Sequence, residues 1–165
     1  MFFTFHSEYY ATCLTSPIGV SDPKIISDSQ MTASSTYKEE IGGYQSEFGR
    51  LEGNRGDGWC SRTKDSNDDW LQIYFGDMFT VCGIDTQGDI NGNEWVTAFK
   101  LSFSTDGSSW ITYTYDNGTD VVRHSYNYFS VVGIFSFSLA RTQNHLLAYI
   151  RYDRISFCFM RCIIM

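Results

Sequence analysis

The sequence predicts one all-β domain, a sandwich or barrel of short strands, on three observations. The chain of 165 residues is the size of a single domain with its own core. Aromatic residues make up 17% of it, with 13 Phe and 11 Tyr against only 2 Pro, a mix that suits pleated, half-buried surfaces. From Lys24 to Tyr115, strand-like runs alternate with clusters of Gly, Asn, Asp and Ser, and no segment sustains a helical period.

Each run has a local reason to be extended. WLQIYF (70–75), TVCGIDTQ (80–87), WVTAFKLSFS (95–104) and WITYTY (110–115) are rich in aromatic or β-branched residues, and WVTAFKLSFS alternates over much of its length. TDGSSW (105–110) and YDNGTD (115–120) put Asp-Gly and Asn-Gly between such runs, a strong short-range hairpin signal. DSNDD (65–69) is expected to be an Asx-rich turn that initiates the strand from Trp70, because short polar side chains cap their own backbone. Trp59, Trp70, Trp95 and Trp110 precede or open strand-like runs, and core packing is the expected role of most of them.

Charge and cysteine usage narrow the function classes. A formal charge of -7 disfavours nucleic acid, whose affinity comes from Lys and Arg displacing counterions, and broad adhesion to anionic lipid. Cys13, Cys60, Cys82, Cys158 and Cys162 show no zinc spacing apart from CFMRC at 158–162, so a disulfide framework is expected, with one thiol left over. Disulfides place the chain outside the cell or on its surface, and the glycosylation sequon at Asn117 agrees. The opening MFFTFHSEYYATC lacks a basic region and a long apolar core, so residues 1–12 are expected to be a leader or upstream linker remnant, with any secretion signal upstream. No apolar run reaches transmembrane length.

Neither catalysis nor a resident metal is expected. His6, His124 and His145 are the only histidines, and there is no GxSxG, HExxH or nucleotide-binding glycine loop. DSNDDW and DINGNE begin like calcium loops, but Trp70 and Glu94 stand where the obligatory Gly of an EF-hand belongs.

The succession DSQMTASSTY, FGRLEG, GDGWCS, DDWLQIYFG and VCGIDTQGDINGNEWVTAFKLSFSTDGSSWITY resembles the discoidin, or coagulation factor 5/8 type C, domain family. The likeness runs from Cys13, where the family's opening cysteine stands, to about residue 120. It implies an eight-stranded jelly-roll β-sandwich or barrel, galactose-binding-like in fold, over residues 13–165, with ligands held by loops at one end and no catalytic role in most members. The implied disulfides join Cys13 to Cys158 or Cys162, and Cys60 to Cys82. Two departures stand out. Tyr74 replaces the Asp usual in the WLQVDLG strand, and residues 121–165 follow the family only at Ala148–Arg151 and Met160-Arg161.

By the same resemblance, three recognition loops project together at 36–48, 53–58 and 89–94. Their candidate ligand residues are Tyr37, Lys38, Ile41 and Tyr44, then Arg55, Gly56 and Asp57, then Asp89, Asn91 and Glu94. Asp65 and Asp68 are added because some members hold a basic ligand group near that turn. Lys38 and Arg55 face Glu39, Glu40, Glu47, Asp57, Asp89 and Glu94, so repulsion and carboxylate desolvation oppose insertion into anionic membranes. The expected function is therefore extracellular recognition for cell adhesion, of a glycan, a protein surface or a calcium-bridged ligand. Arg55-Gly56-Asp57 adds an integrin reading, and a peripheral anionic-phospholipid module is the alternative.

Overall fold

The computed structural model describes residues 18–51, 53, 55, 58–63, 69–77, 81–88, 95–96, 98–114, 118–119, 123–124, 129–137, 147–154 and 161–164, the last four segments and positions 82, 83 and 85 by backbone alone. Among these residues there is no α-helix. The strands are β1 (Met31–Ala33), β2 (Trp70–Tyr74), β3 (Val81–Gln87), β4 (Ala98–Ser104), β5 (Ile111–Thr112), β6 (Arg123–His124), β7 (Phe129–Phe137), β8 (Leu147–Arg154) and β9 (Arg161–Ile164). They form two antiparallel sheets, one in the order β1-β2-β8-β4-β5 with β6 also on β4, the other in the order β7-β3-β9.

β8 runs along one flank of β4 from Ala98 to Ser104. On the other flank β6 pairs at Ala98 and Phe99 and β5 at Ser102 and Phe103, so the two short strands follow each other along one edge. The segments thus fill eight strand positions, five in the larger sheet and three in the smaller, and the fold is the expected all-β jelly roll.

Alternation places the core. In β2, Leu71 and Ile73 are buried while Trp70, Gln72 and Tyr74 are half-exposed. In β4, Phe99, Leu101 and Phe103 share that core, and on the opposite face Ser102 is buried beside Thr112, their hydroxyls 3.0 Å apart. Val81 and Ile84 of β3 join from the smaller sheet, so one core lies between the layers. Trp59 is the one tryptophan buried in it; Trp70, Trp95 and Trp110 are half-buried, contrary to the expectation that most of them pack the core. Such large rings are well buried on average and seldom wholly so.

The two turn signals behave differently. TDGSSW makes the β4–β5 hairpin: Gly107 takes φ 74, and Asp106 Oδ1 accepts the N–H groups of Ser108 and Ser109 at 2.8 and 2.7 Å. YDNGTD does not join two strands that pair with each other, since β5 and β6 both pair with β4, which is long enough for both. The divergent last third supplies β7, β8 and β9, and Ala148–Arg151 lies in β8 between β2 and β4.

Candidate ligand-binding site

β1 and β2 position the site. Met31 pairs with Ile73 and Ala33 with Leu71, so the chain leaving β1 at Ser34 lies beside the chain entering β2 at Asp69. Segment 59–63 crosses this junction and is bonded to it at several points. Trp59 Nε1 donates to the Ser35 carbonyl at 3.0 Å, Tyr37 N donates to the Cys60 carbonyl at 2.8 Å, and Arg62 N donates to Ser35 Oγ at 2.9 Å.

On this base the first predicted loop presents an aromatic pair. Tyr37 and Tyr44 stand with ring centroids 5.4 Å apart, tilted by 55°, and both pack against Cys60, which is buried and disulfide-bonded. Lys38 takes a left-handed conformation, φ 44 and ψ 48, unusual for a residue with a Cβ, and its Nζ sits 5.0 Å from the Tyr37 ring centroid. A 3₁₀ turn over Glu39–Ile41 then ends at Gly42, φ 72, which leaves Ile41 68% exposed. Arg62 Nη2 meets Glu39 Oε2 at 2.9 Å. The result is an aromatic face with a rim of both charges.

Asp69 organises the junction from below. It is buried, and its Oδ1 accepts from Ser34 Oγ at 3.1 Å and Ser35 Oγ at 3.3 Å, while Oδ2 accepts from Thr63 Oγ1 at 3.1 Å. Ser34 Oγ in turn accepts Trp70 N at 3.0 Å.

A second polar cluster sits at the other end of β1. Arg55 donates to Asp28 through Nη1 at 2.9 Å and Nη2 at 2.8 Å, and the buried Arg50 donates to Asp28 at 2.9 Å and to the Val20 carbonyl. The Arg55 hydrogen bonds, followed by that of Arg50, hold the Asp28 carboxyl below its usual range. Ser21, Pro23, Glu47, Phe48, Arg50, Gly53 and Arg55 line a shallow cleft of about 70 Å³ there.

The structure therefore brings Tyr37, Lys38 and Tyr44 together, leaves Ile41 exposed in the same loop, and ties Arg55 to Asp28 with its guanidinium 5.7 Å from the ring of Phe48, at the end of that loop. Gly56, Asp57, Asp65, Asp68, Asp89, Asn91, Glu94, Asn117, Cys13 and Cys158 lie outside the described residues, as do the side chains of Cys82 and Cys162. Among the described residues no group of three His, Cys, Asp or Glu is placed to hold a metal ion. The sequence reading did not single out Asp28 or Arg62, and it met Asp69 only as the third oxygen position of a calcium-loop-like start that Trp70 breaks. For Asp69 the available signal was its place directly before the strand-opening Trp70, next to two serines that the pairing of β1 with β2 brings across.

Comparison with known proteins agrees with this fold. The chain is 36% identical over 113 residues to lactadherin of Rattus norvegicus and 36% over 104 residues to lactadherin of Mus musculus, matches that take in 64% and 59% of this chain. They span only 26% and 22% of those relatives, about a quarter of their length. Recombinant discoidin II of Dictyostelium discoideum superposes with a TM-score of 0.52 at 18% identity, covering 81% of this chain and 53% of that one. The module CpGH89CBM32-5 from Clostridium perfringens, solved in complex with GalNAc-β-1,3-galactose, gives 0.51 at 10% identity over 84% of this chain and 96% of that one. The F5/8 type C domain model matches residues 30–135, which take in both β1 and the Tyr37–Tyr44 face, and the chain belongs to the F5/8 type C domain family.

Proposed function

We propose that this ligand-binding module recognises a glycan on a cell or matrix surface outside the cell, through the face made by Tyr37 and Tyr44. The observation that carries the reading is the braced aromatic pair with Lys38, Glu39 and Arg62 around it. A pyranose ring offers C–H groups on a face and hydroxyls at its edge. Aromatic rings take the first, and a rim with both donors and acceptors takes the second. The module complexed with GalNAc-β-1,3-galactose shares the fold and supplies a reasonable test sugar.

A printed glycan array that includes this disaccharide tests the proposal, with Tyr44→Ala beside the wild type and near-UV circular dichroism as the fold control. Binding lost in a folded Tyr44→Ala protein is the expected result. Equal binding by both proteins moves the site elsewhere.

The anionic-phospholipid reading draws on one observation, the exposed Ile41 at the loop tip. Glu39 and Glu40 adjoin it and oppose approach to an anionic surface. Sedimentation with phosphatidylserine vesicles at low salt decides between them. The integrin reading of Arg55-Gly56-Asp57 requires a partner pocket that outcompetes Asp28 for the Arg55 guanidinium.

A further inference from the structure

The geometry points to Asp69 as the positioning residue of the Tyr37–Tyr44 face, a buried side chain whose oxygens, by accepting from the serine hydroxyls, orient them to hold segment 59–63 against the end of β1. The inference rests on the proposal that this face binds the ligand.

A carboxylate cannot donate, so each hydroxyl that meets it must spend its single proton on it. Ser34 and Ser35 both donate to Oδ1, and their lone pairs are thereby left to accept Trp70 N and Arg62 N. Thr63 donates to Oδ2 and pulls the far end of the same segment inward. Two residues before Arg62 in the same segment stands Cys60, whose carbonyl holds Tyr37 N and whose side chain supports both tyrosine rings. The aromatic face is thus fixed to the sheet through Asp69, which is itself buried. Among the described residues, the hydroxyls of Ser34, Ser35 and Thr63 donate to this carboxylate.

Asn and Ala substitutions separate geometry from charge. In Asp69→Asn the amide oxygen still accepts from both serines, and the Thr63 hydroxyl can turn to accept from the amide nitrogen. In Asp69→Ala all three contacts go, and the serine hydroxyls are free to rotate away from the backbone N–H groups.

Amide hydrogen exchange by mass spectrometry reads the loop without any ligand. Asp69→Ala is expected to speed exchange in residues 36–45 and 59–63 by about tenfold or more while β4 keeps its protection, and Asp69→Asn to stay near wild type. On the glycan array, Asp69→Ala should bind about tenfold more weakly than Asp69→Asn. If Asp69→Ala does not fold, Ser35→Ala removes one relay without touching the core and must give the same local opening.

Wild-type exchange in both Asp69 variants overturns the proposal. Equal opening in both also overturns it, because charge would then matter and hydrogen-bond geometry would not. If the loop opens in Asp69→Ala but the wild type binds nothing on the array, Asp69 keeps its positioning role and the glycan reading falls. If the wild type binds and Asp69→Ala binds equally with a closed loop, the glycan reading stands and the role of Asp69 falls.

Discussion

Arg55 grips Asp28 with both terminal nitrogens, at 2.9 and 2.8 Å, and this pair removes the arginine of an Arg-Gly-Asp tripeptide from free display. Asp28 also receives the buried Arg50, so one carboxylate serves two guanidinium groups. The arrangement links residues 27 positions apart and fastens the loop after Gly53 to the start of β1.

Asp28 should titrate below the ordinary carboxyl range, with Arg55 the main cause. A lowered folded-state pKa means that its contribution to stability is complete above the unfolded value of about 3.9 and is lost as pH falls through the lower folded value. Arg55→Ala is expected to move the Asp28 midpoint upward, while Arg50 keeps it partly depressed. Carbon-detected NMR titration of the Asp28 carboxyl between pH 2 and 6 checks this, and an unmoved midpoint counts against the pairing.

The β4–β5 hairpin should depend on the Asp106 side chain as an acceptor. Two backbone N–H groups, from Ser109 and then Ser108, hold its carboxyl well below the usual range. The contribution to stability is therefore present above the ordinary carboxyl pKa and disappears at more acidic pH. Asp106→Asn keeps the oxygen that both N–H groups use, and Asp106→Ala removes it. Thermal midpoints should fall in the order wild type, Asn, Ala; equal midpoints for Asn and Ala would show that the turn does not need the acceptor.

Phe99 lies wholly inside the core that both sheets share. Phe99→Ala should cost about 3–5 kcal/mol in urea unfolding, the usual loss for an aromatic ring removed from a packed interior. A change below about 1 kcal/mol would place the ring outside that interior.

Ile41 and Tyr44 separate the two binding readings. Ile41→Ser removes the exposed apolar tip and leaves the ring pair in place, so glycan binding should change by less than about twofold, and so should global stability. Phospholipid binding would fall sharply in the same variant. Vesicle sedimentation and the glycan array, run on Ile41→Ser and Tyr44→Ala together, report which surface the face serves.

By itself, the sequence determined the elements with local causes. Aromatic and β-branched residues set the strands in WLQIYF and WVTAFKLSFS, Asp-Gly set the β4–β5 turn, and ordered motifs identified the family. It also carried the loop in which Tyr37, Lys38 and Tyr44 come together. These signals survive because side-chain period and turn chemistry act over a few neighbouring residues.

Tertiary structure alone decided the rest. Asp69 stood in the sequence only as one position of a calcium-loop-like start, and it carries a buried hydrogen-bond network because the pairing of β1 with β2 sets Ser34 and Ser35 against it. Arg55 pairs with Asp28, far from it in sequence, and Ala148–Arg151 becomes part of a strand between β2 and β4 even though the surrounding sequence departs from its family. Each outcome depends on which distant backbone arrives alongside, a sum over many long-range contacts that no short stretch of sequence encodes.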